Sequence, residues 1–143
     1  MFGSIDETIV FPVHPRTRAA LNKSGLAVSP NVRAIDPVGY LDMLALEKNA
    51  RMVLTDSGGV QKEAFFFGVP CVTLRTETEW TELVEAGWNR VVGGDRERIL
   101  SAVRDWTPGG ERPLLYGQGD ASERIVAILD GRPAPPPGRV EQE

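Results

Sequence analysis

The segment Thr55-Asp56-Ser57-Gly58-Gly59-Val60-Gln61-Lys62-Glu63-Ala64 joins an apolar run, Met52 to Thr55, to a second one, Ala64-Phe65-Phe66-Phe67. A helix that starts in such a turn offers unpaired N–H groups and a partial positive charge, which together suit a phosphate. Gly58 and Gly59 carry no side chains to keep an anion off the main chain, and Ser57 adds a hydroxyl donor. Glu63 falls four residues after Gly59, on the same helix face and about 6 Å further along the axis. A carboxylate there would repel phosphate but accept hydrogen bonds from the two hydroxyls of a ribose. Diphosphate at Ser57–Gly59 with ribose at Glu63 describes a nucleoside diphosphate. The spacing is neither Gly-x-Gly-x-x-Gly nor a P-loop, since no Gly-Lys-Ser/Thr follows. The same residues also fit a tight strand-to-helix turn capped by Ser57 or Asp56.

His14, the single histidine, is followed by Pro15, which favours an extended conformation before it. An imidazole at the carboxyl end of a strand can act as acid or base or bind phosphate; it can also just fix a loop through a backbone bond. Arg16 and Arg18 could clamp anions or be solvated helix charges. Arg75 follows a buried strand and needs a partner, either a substrate phosphate or Glu79. Glu79 and Glu82 also read as a cap and a solvated face. Cys71 lies in an apolar VPCVTL strand with no companion base, which reads as packing. No His/Cys cluster has metal-ligand spacing, and a lone histidine argues against most protein-built zinc sites.

These groups are positioned by alternating elements. Strands are predicted over Thr8–Val13, Val32–Ile35, Met52–Thr55, Cys71–Leu74 and Arg90–Val92. Helices are predicted from about Thr17 to Lys23, Tyr40 to Asn49 with Leu41, Leu44 and Ala45 on one face, and Gly59 to Phe67. Gly68 and Pro70 stop the last of these. Thr76-x-x-Glu79 fits a capping box opening a helix that ends at Gly87. Asp95 can cap a helix to about Trp106, and a final helix spans Ala121–Leu129 before Gly131. The alternation implies an α/β fold, a Rossmann-like parallel sheet with helices on both faces. Ligands of such sheets sit beyond the carboxyl ends of the strands. His14–Arg16, Asp36–Pro37, the Ser57–Gly59 turn and Arg75–Glu79 all follow strands and should line one edge. Residues 8–130 make one domain, and the Pro-rich tail 131–143 lacks apolar periodicity and is expected to be disordered.

The bulk composition narrows the class. A chain of 143 residues with 41% hydrophobic and 25% charged residues suits one soluble domain. A net charge of −4 argues against nucleic acid as partner. One cysteine makes no internal disulfide, no apolar run is long enough for a membrane span, and MFGSIDET lacks the order of a signal peptide. The cytoplasm is the expected compartment.

FPVHPRTR at 11–18, IDPVGYLDMLALEKNA at 35–50, LTDSGGVQKEAFFFGVPCVTLRTETEW at 54–80, EAGWNRVVG at 85–93 and YGQGDASERI at 116–125 resemble the non-hydrolysing UDP-N-acetylglucosamine 2-epimerases. The likeness runs from about Thr8 to Leu129. It implies the carboxyl-terminal half of a two-domain GT-B-like enzyme, which inverts C2 of a UDP-sugar by elimination and re-addition of UDP, without metal, nicotinamide or other cofactor. It further implies that Ser57 and Gly58 hold the diphosphate, that Glu63 holds the ribose, and that His14 is a catalytic cleft residue. Arg75 and Glu79 match a loop beside the pocket. Such enzymes are typically homodimers.

Two departures accompany the likeness. Leu44 stands where allosterically activated members carry a histidine, which argues against activation by a second substrate molecule. The TEW and GWNR wording is similar to relatives acting on UDP-2,3-diacetamido uronic acids. The resemblance also implies a preceding strand with a His-Arg-x-Glu-Asn type sequence, and an amino-terminal half bearing the carboxylates that move the C2 proton. In a sheet of order 3-2-1-4-5-6 that strand is the central number 1. Without it, FPVHP and VLTDSG would not be neighbours. The expectation is a UDP-binding half that does not epimerise alone and whose partner is the missing half, in the same frame or on another chain. The donor half of a GT-B glycosyltransferase and a non-catalytic UDP-binding remnant are the alternatives.

Overall fold

The computed structural model describes residues 5–117 and 119–133. The expected tail beyond position 133 lies outside the described residues. Strands β1 (Ile9–Pro12) and β2 (Val32–Ile35) pair in parallel, with Ile9 opposite Val32 and Pro12 opposite Ile35. Helix α1 (Pro15–Ser24) connects them, and α2 (Tyr40–Lys48) follows β2. Strands β3 (Val53–Thr55), β4 (Cys71–Thr73) and β5 (Asn89–Val91) form a second parallel sheet in that order. Helix α3 (Gly58–Phe67) joins β3 to β4, a short α4 (Thr81–Glu85) joins β4 to β5, and α5 (Arg96–Asp105) follows β5. Gly68 ends α3 at a φ of 68°, the left-handed conformation that a glycine adopts without penalty. The Asp95 carboxylate caps α5 as expected, accepting from the Arg98 N–H at 2.9 Å. A second compact unit starts at Glu111 and contains α6 (Ala121–Leu129).

Successive side chains of a strand point to opposite faces, and β4 uses both. Cys71 packs with Ala64 of α3 and Val69, while Val72 packs with Val92 and with Ile99, Leu100 and Val103. The sheet is therefore covered by α3 on one face and α5 on the other, the burial that a parallel sheet requires. The β1–β2 pair is less covered: Val10 and Phe11 stay 44% and 37% exposed, and α1 buries none of its residues.

Among the described residues β1 pairs only with β2, and β3 only with β4. Ile9 and Val13 donate to the carbonyls of Asn31 and Ile35, so the alternate residues Val10 and Pro12 direct their main-chain groups away from β2. Val53 donates to the Pro70 carbonyl and Thr55 accepts from Leu74, so Leu54 directs its N–H and C=O away from β4. The two sheets meet near the starts of β1 and β3. There Ile5 and Ile9 share a hydrophobic cluster with Met52 and Leu54, and Arg51 bonds Glu7 at 2.6 Å. The FPVHP and VLTDSG segments are thus not neighbours in a common sheet.

Two sequence expectations are corrected. The Thr76–Glu79 capping box does not form: α4 begins only at Thr81, with Trp80 at its N-cap. Tertiary partners win over local ones there, since Thr78 bonds Gln61 and Glu79 pairs with Arg75. On α2 the expected apolar face is turned: Leu41 is 78% exposed, Ala45 is exposed, and the buried residue is Glu47.

Candidate functional site

The turn after β3 presents an uncapped helix start. Ser57 is the N-cap of α3 in an extended conformation, but its hydroxyl makes no cap bond. Its own N–H donates to Thr55 Oγ1 at 3.0 Å, and the first main-chain bond of the helix runs from the Gln61 N–H to the Ser57 carbonyl. The N–H groups of Gly58, Gly59 and Val60 therefore have no partner among the described residues. A side-chain cap was the plain alternative for this turn, and neither Ser57 nor Asp56 provides one. A bound anion would meet three donors and the positive end of the helix dipole.

Gly58 is fixed by crowding. A Cβ there would collide with the Glu79 carboxylate and lie 3.2 Å from the Trp80 indole nitrogen. The Leu74–Trp80 loop folds over the helix start through several contacts. Trp80 Nε1 donates to the Gly58 carbonyl at 3.0 Å, and Lys62 Nζ stands 3.5 Å from the Trp80 ring centroid, a cation–π contact. Arg75 donates to Glu79 at 3.1 Å, so of the two partners weighed for Arg75 the structure displays the carboxylate.

One turn into α3, Glu63 accepts from the Tyr40 hydroxyl at 3.0 Å. That hydrogen bond and the carboxylate's charge raise the Tyr40 pKa above its ordinary value. Glu47, two turns after Tyr40, is 2% exposed, and neither of its carboxyl oxygens has a hydrogen-bond partner among the described residues. Burial, with a smaller contribution from Glu63, pushes its pKa up to about 7. Burial also pushes the Cys71 thiol up to about 12, so it is no nucleophile near neutral pH.

His14 is the N-cap of α1, with Pro15 at the first helical position. Its Nδ1 accepts from the Arg16 N–H at 3.2 Å; an accepting Nδ1 leaves Nε2 as the proton-bearing nitrogen of a neutral ring. The backbone role weighed for His14 is thus real, and Nε2 has no hydrogen-bond partner among the described residues. Arg18 bonds the Ile35 carbonyl at 3.0 Å and Asp36 at 2.9 Å, while the Arg16 guanidinium has no partner among the described residues. The structure brings Ser57, Gly58, Gly59, Arg75 and Glu79 together around the α3 start, with Glu63 one turn on. It groups His14, Arg16, Arg18 and Asp36 at the end of the other sheet. Among the described residues no hydrogen bond links the two groups. Because asparagine also caps helices well, His14→Asn should keep stability within about 0.5 kcal/mol, whereas His14→Ala should cost about 1 kcal/mol. Urea denaturation of both variants checks this and separates the cap from any chemistry of the ring.

Sequence reading missed Tyr40, Gln61, Thr78 and Trp80 as parts of this site. Their roles depend on contacts between distant segments. Among the described residues no cluster of His, Cys, Asp and Glu can hold a metal ion, and no helix is long and apolar enough to cross a membrane.

Comparison with known proteins bears on this geometry. A family model described as UDP-N-acetylglucosamine 2-epimerase matches residues 2–130. The chain is 50% identical over 133 residues to a UDP-N-acetylglucosamine 2-epimerase homolog of Methanococcus maripaludis, covering 90% of this chain and 37% of that protein. It is 51% identical over 125 residues to the UDP-2,3-diacetamido-2,3-dideoxy-D-glucuronate 2-epimerase of Pseudomonas aeruginosa, covering 85% and 34%. The fold is similar to the crystal structure of UDP-GlcNAc 2-epimerase from Methanocaldococcus jannaschii in complex with UDP-GlcNAc and UDP. There the TM-score is 0.77 at 42% identity, over 91% of this chain and 37% of that one. The chain thus spans little more than a third of the length of each relative.

Proposed function

Because the chain belongs to the UDP-N-acetylglucosamine 2-epimerase family, we propose that it supplies the UDP-binding part of an enzyme inverting C2 of a UDP-2-acetamido sugar. The observation that carries this reading is the uncapped α3 start with a carboxylate one turn behind it. The N–H groups of Gly58 and Gly59 and the Ser57 hydroxyl hold the diphosphate. Glu63 takes the ribose hydroxyls in place of the Tyr40 phenol. Arg75 turns its fork to the phosphates and Glu79 sets its direction; Arg16 adds charge from the opposite sheet. The substrate class includes the diacetamido uronate named for the P. aeruginosa relative.

In the elimination step a base removes the C2 proton and its electron pair forms the C1–C2 double bond. The C1–O bond breaks, and UDP leaves with that electron pair. Donors at the α3 start are strongest where charge builds up on the departing phosphate. In this reading His14 Nε2 donates a hydrogen bond to that leaving group. Return of a proton to the opposite face of C2, with UDP attacking C1 again, completes the inversion.

The C2 base is assigned to the rest of the enzyme, in the same polypeptide or another. That partner also contributes a strand parallel to β1 and β3, whose outward main-chain groups at Val10 and Leu54 are open to pairing. We place the reaction in the cytoplasm. The purified 143-residue chain should bind UDP without inverting C2 or exchanging the C2 proton for deuterium, and adding the remaining part should restore both. Inversion by the chain alone would refute the division of labour. Transfer of the sugar to an acceptor, with no free epimer, would identify a glycosyltransferase instead.

A further inference from the structure

A buried polar chain lies beneath the candidate site, and the proposed chemistry leaves it unused. Gln61 of α3 is fully buried. Its Oε1 accepts from Thr78 Oγ1 at 2.6 Å and from Asn89 Nδ2 at 2.9 Å. Asn89, itself buried on β5, accepts from Thr73 Oγ1 of β4 at 2.7 Å. Thr78 Oγ1 in turn accepts from the Trp80 N–H at 3.2 Å. The Gln61 Nε2 group has no hydrogen-bond partner among the described residues.

A buried amide with an unsatisfied donor is costly, and a leucine of similar volume would avoid that cost. The contacts that Gln61 does make connect the helix carrying the Ser57–Gly59 turn to the loop carrying Arg75 and Glu79. Main-chain bonding fixes the loop at its two ends: the Leu74 N–H donates to the Thr55 carbonyl and the Arg75 carbonyl accepts from the Gly93 N–H, each at 2.8 Å, and the Trp80 carbonyl accepts from the Leu83 N–H at 3.1 Å. Thr78 is its anchor in the middle, and that anchor rests on Gln61.

We propose that Gln61 is a positioning residue. Through Thr78 it holds the Leu74–Trp80 loop at the height where Arg75, oriented by Glu79, faces the phosphate groups of a nucleoside diphosphate. The inference rests on the proposed UDP site for its ligand, but the height of the loop can be measured without one.

The test compares Thr78→Val, which removes only the hydroxyl, with the conservative Thr78→Ser and with Gln61→Leu. In Thr78→Val, affinity for UDP and for inorganic pyrophosphate should fall about tenfold, the effect of one lost hydrogen bond. Affinity for uridine, which has no phosphate, should be unchanged, and Thr78→Ser should restore binding. Independently of ligand, amide hydrogen exchange across 75–80 should accelerate in Thr78→Val and Gln61→Leu, while α5 keeps its protection. Equal losses for UDP and uridine, or unaltered exchange across the loop, would overturn the proposal. If the unmodified chain binds no UDP, the functional reading fails, and the exchange comparison alone decides the positioning role.

Discussion

Replacing Glu63 by glutamine should weaken UDP binding by about 2–3 kcal/mol, or roughly 30- to 150-fold, while pyrophosphate binding stays nearly constant. The asymmetry follows from where the carboxylate stands. The Ser57–Gly59 donors lie one turn before it, so losing its charge removes no phosphate contact and slightly reduces repulsion of the anion. A ribose, by contrast, loses a charged acceptor for two hydroxyl donors, and charge-assisted bonds are the strong ones. The Tyr40 hydroxyl bonds the same carboxylate at 3.0 Å and must give way when a sugar binds there. Isothermal titration with UDP, uridine and pyrophosphate measures all three. Equal losses for UDP and pyrophosphate would remove Glu63 from the ribose.

Glu47→Met should stabilise the protein, and by more at high pH than at low. The folded-state pKa of Glu47 is raised from its ordinary 4.5 to about 7. The native state therefore holds this proton more tightly than the unfolded chain. Its contribution to stability is fully present below the unfolded value and lost as pH rises through the folded one. Between about pH 5 and about pH 8 the loss should be about 2.5 kcal/mol. Methionine fills a similar volume without a proton to release, so the gap between variant and parent should widen by that amount over the interval. Chemical denaturation at the two pH values measures it; a constant gap would show that Glu47 ionises freely in the folded protein. Among the described residues the buried oxygens have no hydrogen-bond partners, so a smaller gain should remain in acid.

Much of the fold is legible from periodicity and punctuation. The β2 boundaries, the Asp95 cap and the Gly68 stop depend on a residue's own conformational preference or on partners within one turn, and these are written locally. The loop before α4 is not legible that way. Thr76, Thr78 and Glu79 form a capping pattern on paper, yet Thr78 and Glu79 are engaged by Gln61 and Arg75, and the helix waits until Thr81. Glu47 was hidden for a similar reason. A glutamate in a run of Leu-Glu-Lys reads as a solvated face, and only the packing of α2 against the rest turns it inward.

The site residues divide the same way. The glycines, Ser57 and Glu63 stand within two helical turns of one another, so their geometry follows from sequence spacing. His14 could be placed at the end of a strand, but its cap bond to Arg16 needs the backbone angles of α1. Trp80 and Tyr40 reach the site from segments separated from it by a strand or a helix, and no local pattern announces them.

The open flanks of β1 and β3 bear on how the polypeptide acquires its shape. Neighbouring segments suffice to bring β3, β4 and β5 together with α3 and α5, so that part can condense early around contacts of short sequence separation. In the proposed assembly the β1–β2 pair is completed by a strand from a distant stretch or another molecule, and loop-closure entropy makes that the late event. On the proposed reading, Glu63 and the Ser57–Gly59 turn belong to the early-forming part and His14 to the late one, so nucleotide recognition can mature before the chemistry does.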